Sequence, residues 1–417
     1  MKRFSLFVIV GIIGFASILL AQKTEITFWE GMEGSLGTTL QQITDMFNSQ
    51  NPTIEVKLVF VGNGSELDSK LLAAAETKTL PTISQAYPTW AAALVSKGIV
   101  TPMEQFDGFN ELAQEIYPAV LNIGKIDSKF YGLPFNQQVY LLYYRPAMFE
   151  EAGINPPTTL DELANDAKIL TVTKDGKVVR YGLAFRDMSW IFTAIARQFG
   201  GGTYMKNGKI VINSGANLQA MTYLTDLVKN GYAYTKSGYF DNELTTSSVA
   251  MILGGSANLP FDLSDIAGQK DGIKMIPIPV GPAGKTSPIL AGEVLLIFNT
   301  ATPEQQEAAW QYAKFLLSPK IQMYWAIHTN YSPLNEEVLN LQEWKSYVAQ
   351  SEYGVGAIAD GLDNAASYAL NLPYWTSVDS AIGTAFEDAV NSVKTPSDAL
   401  SWAQEQAESI QSTFYEK

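Results

Sequence analysis

One stretch, Ile26-Thr27-Phe28-Trp29-Glu30-Gly31-Met32-Glu33-Gly34-Ser35-Leu36-Gly37, sets the strongest limit on what this chain can fold into. A strand-like run stops at three glycines. It reopens with Leu40, Ile43 and Phe47 at helical spacing and ends at Asn48-Ser49-Gln50-Asn51-Pro52. A strand that turns at once into a helix carries the chain back over its own sheet, the repeating unit of a parallel α/β layer. The pattern recurs. Ile54 to Phe60 reads as a strand, and Val61-Gly62-Asn63-Gly64-Ser65 as a turn with Asn63 or Ser65 placed to cap a helix from Glu66 to Thr77. Leu80 to Tyr87 is a short strand before a helix from Trp90 to Ser96. Three strands thus end in loops bearing Trp29, Asn63 and Tyr87, and ligands of open α/β sheets gather at such carboxyl ends. The first loop fits neither GxGxxG nor GxxxxGK[ST], and its acids argue against phosphate.

Beyond residue 130 the chain changes character. Tyr131-Gly132-Leu133-Pro134-Phe135-Asn136-Gln137-Gln138 is extended and interrupted, and Val139 to Tyr144 is apolar on both faces. The chain is expected to cross here into a second lobe. Tyr181 to Phe185 is a strand followed by Ser189-Trp190. Asn207-Gly208 is the tip of a hairpin, and Val249 to Leu253 is a buried strand running into Gly254-Gly255-Ser256. Ile289 to Phe298 reads as one buried strand carrying Gly292-Glu293. Glu304 to Leu317 is a helix, and Thr329-Asn330-Tyr331-Ser332-Pro333-Leu334 is another extended break. The remainder reads as helical except for Leu370 to Trp375.

The chain begins with Met1-Lys2-Arg3, an apolar run from Phe4 to Leu20, and Ala21, the layout of a secretory signal spanning 1–21. There is no cysteine, hence neither a disulfide framework nor a thiol for a lipid, so the expected product is exported and not lipid-anchored. Lys+Arg is 28 and Asp+Glu 42, a net charge of −14; removing Lys2 and Arg3 gives 26 against 42, or −16. That charge disfavours nucleic acid and anionic membrane surfaces as partners. Roughly 395 mature residues are too many for a single core, so two lobes are expected. The 8 Trp and 20 Tyr exceed what two ordinary cores need, and flat rings are what the C–H faces of sugars stack on. The single histidine, His328, leaves no basis for a metal centre, a cofactor or a Ser-His-Asp triad.

The order of these elements resembles the extracellular solute-binding proteins of ABC importers, in the family of the maltose-type sugar binders. The resemblance rests on WEGMEGSLG with FNSQNP, LPTISQAY with KGIVTPM, GLPFNQQVYLLYYRPAMFEEAGI, PTTLDEL, VAMILGG, ILAGEVLLIF and NYSPLNEEV, in that order. Within the family the pattern is most similar to the binders of glycerol-3-phosphate and glycerophosphodiesters. It implies an α/β, two-lobed periplasmic-binding-protein fold (type II) with a crossing-strand hinge. The lobes would be 24–134 plus 290–331, and 135–289 plus 332–417. It also implies a monomeric partner of ABC permease subunits that closes over its ligand. Carried over position by position, Gly292 and Tyr331 keep their type, whereas the other places fall on Gly64, Pro88, Gln138, Gly255 and Thr376. An arginine is lost at the last of these, and none occurs after Arg197. Ancestry therefore implies glycerophosphate, while the local residues suit a neutral sugar or polyol, since phosphate favours a fork of donors.

The candidate ligand residues are Trp29, Glu30, Glu33, Asn63, Gln85, Tyr87, Asn136, Gln138, Trp190, Ser256, Gly292, Glu293, Tyr331 and Trp375. Carboxylates and amides give hydroxyls directional partners, and rings cover apolar faces. The rival from another class is a secreted carbohydrate-active hydrolase using a pair among Glu30, Glu33 and Glu293. No catalytic motif surrounds those acids, and the expected role is binding rather than catalysis.

Overall fold

The computed structural model describes residues 23–259, 261, 272–285 and 287–416. The export signal expected at 1–21 lies outside the described residues. Two sheets dominate. The first has the order Ile54–Phe60, Thr24–Glu30, Ile83–Ala86, Val294–Ile297, Leu133–Pro134. Its first three strands are parallel, and Val294–Ile297 runs against both of its neighbours. In the opening strand Ile26, Phe28 and Glu30 point inward and Trp29 lies on the opposite face, the two-residue alternation of a pleated strand. The helix that follows, Gly34–Gln50, buries Leu40, Ile43 and Phe47. Phe47 meets the ring of Tyr312 from helix Pro303–Leu316 edge-on at 5.0 Å.

The second sheet has the order Ala233–Lys236, Lys177–Arg186, Val249–Gly255, Gln138–Tyr144, Ile289–Ala291, Ala366–Ser367, with Lys274–Pro277 also paired to Gln138–Tyr144. Val249–Gly255 is buried along its whole length and Gln138–Tyr144 at all but its ends. Helices cover both faces, so these strands read as continuous apolar runs rather than alternating ones.

The two sheets are joined where strands change sheet. Leu133–Pro134 ends in the first sheet and Gln138–Tyr144 begins in the second. The expected strand Ile289 to Phe298 is in fact two: Ile289–Ala291 pairs in the second sheet and Val294–Ile297 in the first, with Gly292-Glu293 between them. Glycine is required at 292 because a Cβ there would sit 2.8 Å from the carbonyl carbon of Asn136 and 2.9 Å from Cα of Gln137. A third extended segment lies alongside, with Ser332 N–H donating to the Gln137 carbonyl at 2.8 Å.

Two further departures from the sequence reading stand out. Helix Gly64–Thr77 starts at Asn63, but the Asn63 side chain makes no capping bond. The segment after 332 is not one helical run. Short 3₁₀ turns occupy Glu336–Asn340, Val355–Ile358 and Leu362–Asn364 before the helices Trp375–Val390 and Pro396–Tyr415. The apolar interior forms two contiguous clusters, one around Trp310 and Trp325, the other around Phe185, Trp375 and Phe386. Val338, Trp344, Ile358 and Leu362 belong to the first cluster, which also takes in Val139, Tyr143 and Ile252 of the second sheet. Among the described residues no helix is long and apolar enough to cross a membrane.

Candidate functional site

A cleft runs between the two sheets. It consists of chambers of about 270 and about 240 Å³ that share Tyr87, Gln138, Trp190, Tyr239 and Asn258 and are therefore one space. The chamber against the first sheet is also lined by Glu33, Asn63, Asn136, Gly292, Glu293 and Tyr331. The other is lined by Tyr140, Tyr143, Arg186 and Met188. Nine candidates from the sequence thus lie together: Glu33, Asn63, Tyr87, Asn136, Gln138, Trp190, Gly292, Glu293 and Tyr331.

The waist is aromatic. Tyr87, just after the third strand of the first sheet, meets Trp190 edge-on at 6.1 Å, and Trp190 starts from the second sheet's side of the cleft. Trp190 also packs on Tyr368 at 4.4 Å and Tyr140 at 6.1 Å. Asp379, hydrogen-bonded by Ser189 and Trp190, sits beneath this cluster; burial pushes its carboxyl up to about 6. Glu33 precedes helix Gly34–Gln50 and lines the same chamber with Gly31, Met32 and Leu36.

The floor of the first chamber is a polar network at the sheet crossings. Glu293 Oε2 accepts from Gln85 Nε2 at 2.7 Å and Asn136 Nδ2 at 2.5 Å. Asn136 Oδ1 accepts in turn from Glu293 N–H at 3.1 Å, and Gln137 Nε2 donates to the Glu293 carbonyl at 2.7 Å. Burial, with a smaller contribution from Glu30, raises the Glu293 carboxyl to about 7 despite those amide donors. Behind it, burial and the charge of Glu293 push Asp68 well above the usual carboxylate range. Burial, then the charge of Glu293, raises the Tyr87 phenol.

Five candidates do not line the cleft. Trp29 is half-buried on the outer face of its strand and packs against the first core. Glu30 faces inward, and its Oε2 accepts from Met32 N–H at 2.6 Å, fixing the turn. Gln85 is fully buried behind Glu293 and holds it. Ser256 is fully buried and donates to the Asn330 carbonyl at 2.7 Å, tying the Gly-Ser loop to the third crossing. Trp375 is 0 % exposed in the second core, its ring 5.7 Å from that of Tyr204. As the first residue of an amphipathic helix it points inward, not toward the cleft. His328 stacks on Tyr324 at 4.0 Å, outside the cleft.

The sequence reading missed Arg186, Tyr239, Tyr140 and Asn258. Arg186 ends the strand Lys177–Arg186, the position the carboxyl-end rule would have flagged. Its Nε donates to the Ser237 carbonyl at 2.9 Å, and its guanidinium lies over the Tyr239 ring at 4.6 Å. Arg186 lies upstream of Arg197, away from Thr376, where the resemblance implies an arginine.

The model of the family "Bacterial extracellular solute-binding protein" matches residues 42–351. The sn-glycerol-3-phosphate-binding periplasmic protein UgpB of Yersinia pseudotuberculosis is 25% identical over 373 residues, 84% of this chain and 81% of that one. Among solved structures, the sugar-binding protein MalE of Xanthomonas citri superposes with a TM-score of 0.82 at 20% identity, covering 94% of this chain and 98% of that one. UgpB of Mycobacterium tuberculosis in complex with glycerophosphocholine gives 0.80 at 19% identity, covering 94% and 100%. These neighbours share the two-lobed fold. The chain belongs to the bacterial extracellular solute-binding proteins, the solute-capturing components of ABC importers.

Proposed function

We propose that this protein captures a neutral polyhydroxylated solute, a sugar or polyol, in the cleft between its lobes and presents it to a membrane permease. The observation that carries this is the make-up of the cleft wall. Asn63, Asn136, Gln138, Asn258 and two carboxylates supply partners for hydroxyls, and Tyr87, Trp190 and Tyr331 supply flat apolar faces. Arg186 is the one cation lining either chamber among the described residues, and it is already engaged with Ser237 and Tyr239. The lobes are taken as 24–134 plus 290–331 and 135–289 plus 332–417. A solute touching both at once favours the closed arrangement. Moving from mostly open to mostly closed takes about 5 kcal/mol of differential affinity. A few hydrogen bonds of about 1 kcal/mol and one or two stacked rings are of that order. The protein acts as an exported monomer without catalysis of its own.

A second reading keeps the role and changes the ligand to glycerol-3-phosphate or a glycerophosphodiester. Arg186 at the cleft wall favours it, as do the curated relatives' names. A thermal-shift panel of maltose, D-tagatose, glycerol, glycerol-3-phosphate and glycerophosphocholine separates the two, because a ligand of the folded form raises the melting temperature with concentration. Stabilisation by neutral sugars is the expected result. Stabilisation by the phosphorylated compounds alone overturns the first reading in favour of the second.

A further inference from the structure

Resting on the reading of the cleft as a site for a neutral polyhydroxylated solute, we propose that capture is coupled to loss of a proton from Glu293, so that the protein releases its solute as the surroundings turn acid. Four observations meet at this side chain. It is 3 % exposed yet lines the first chamber. One oxygen, Oε2, is occupied by two amide donors that also knit the sheet crossings, Gln85 and Asn136. The other, Oε1, has no donor within the protein among the described residues. The charged or titratable groups that face it are Glu30 from the first strand, Asp68 from helix Gly64–Thr77, and the phenols of Tyr87, Tyr331 and Tyr368. Glu33 lines the same chamber. No cation is among these groups, and Arg186 across the cleft is held by Ser237 and Tyr239.

Asp68 decides which carboxyl moves. It is 1 % exposed. Its Oδ1 takes only a long bond, 3.4 Å, from Tyr87 N–H, and its Oδ2 is buried without any partner. A carboxylate oxygen in that position is costly, so burial, and then the charge of Glu293, favour the protonated form of Asp68. Glu293 is then the group left near balance, with its carboxyl at about 7. The two N–H donors on Oε2 leave any proton on Oε1, the atom that meets the solute. A solute hydroxyl donating to Oε1 makes a stronger bond to the carboxylate than to the acid, because charge-assisted bonds are roughly twice as strong. Binding therefore lowers the pKa of Glu293 and expels its proton. By linkage, affinity is full above about pH 7 and weakens below it, roughly tenfold between pH 8 and pH 6 if the bound form stays ionised.

The test is isothermal titration calorimetry of the full chain with maltose and D-tagatose at pH 8, 7 and 6, in phosphate and in Tris. The expected result has three parts. Affinity falls about tenfold from pH 8 to pH 6. The binding enthalpy at pH 7 differs between buffers by the ionisation heat of about half a proton. The variant E293Q binds more weakly at pH 8 and no longer responds to pH. Sugar binding with equal affinity at pH 6 and 8, and no buffer dependence, overturns the coupling while leaving the ligand reading intact. Binding of glycerol-3-phosphate or glycerophosphocholine alone overturns both, since an anion beside Oε1 favours the protonated acid. If none of these probes binds, the ¹³C carboxyl shift of Glu293, assigned by difference from E293Q, is titrated directly. A midpoint near 7 supports the proposal, and one below 5 overturns it. Should E293Q fail to fold, the two-buffer comparison on the wild-type protein stands by itself.

Discussion

Gly292→Ala puts the crossing of the two sheets under a defined load. The new methyl carbon would lie 2.8 Å from the Asn136 carbonyl carbon and 2.9 Å from Gln137 Cα, and closer still to the Asn136 oxygen. All three obstacles are backbone, so no rotamer change relieves the clash; the two crossing segments must part. Four bonds hold them together. Asn136 and Glu293 exchange two, at 2.5 and 3.1 Å, and the Glu293 carbonyl accepts from Gln137 Nε2 at 2.7 Å and Phe135 N–H at 3.2 Å. Overpacking alone costs about 1–3 kcal/mol. Each of these bonds lost adds about 1 kcal/mol. A loss of about 3 kcal/mol is expected, read from the urea midpoint by tryptophan fluorescence. Gly215→Ala is the control: it opens helix Gly215–Lys229 and has nothing within 4 Å of its Cβ, so it should change stability by no more than about 0.5 kcal/mol. A Gly292→Ala midpoint as close to wild type as the control's would show that the crossings are not tightly packed and that the reasoning is wrong.

Trp190→Ala removes the ring at the cleft waist and should weaken solute binding by about 2 kcal/mol, roughly 30-fold, by calorimetry; an unchanged Kd would place the ligand elsewhere. Trp375→Ala should lower stability by about 3–5 kcal/mol and leave the Kd of the folded protein within about threefold. The reverse outcome would mean its buried position has been misjudged. Arg186→Gln should leave the affinity for neutral sugars within about threefold and cost a phosphorylated ligand more than tenfold; a large loss of sugar affinity would assign the guanidinium a direct role. Glu293 also makes unliganded stability depend on pH. Its carboxyl is raised from 4.5 to about 7, so the folded state holds the proton more tightly than the unfolded chain. The stability this contributes is present below about pH 4.5 and lost as pH rises through 7, about 3 kcal/mol in all. The wild-type minus E293Q difference in urea midpoint isolates it, and a difference that is flat from pH 4.5 to 7.5 would refute the shift.

Elements with a strong local signature were legible from sequence. The strand–turn–helix units of the first sheet, the hairpin at Asn207-Gly208 and the helix at Pro303–Leu316 lie where periodicity and turn chemistry put them. Much of the cleft was legible for the same reason, since Asn63, Tyr87 and Trp190 follow strand ends. What sequence could not decide was the direction in which a side chain points within an element of known type. Trp29 and Glu30 are neighbours on one strand, and alternation sends only Glu30 inward, where its carboxylate serves the backbone rather than a ligand. Trp375 and Trp190 both begin helices, yet only tertiary packing buries the first and leaves the second half-exposed. Asp68 sits with Leu67, Leu71 and Ala74 on the buried face of helix Gly64–Thr77, but the groups that raise its carboxyl and bond it, Glu293 and Tyr87, come from other elements. The break at Gly292-Glu293 was hidden because apolar residues on both sides look like one strand; only the change of sheet divides it.

That break joins the structural and functional arguments. Gly292 lets two backbones pass closely enough for Asn136 to bond Glu293, and the same bond occupies Oε2 and leaves Oε1 to the cleft. If the proposed coupling holds, a crossing whose hydrogen bonds end on a cleft-lining carboxylate cannot move without disturbing that carboxylate, and solute, proton and lobe position would all act on Glu293. By reciprocity, whatever a solute does to the affinity of Glu293 for its proton, the proton does to the affinity for solute. An importer built on such a receptor would sense both its cargo and the acidity of the space it samples.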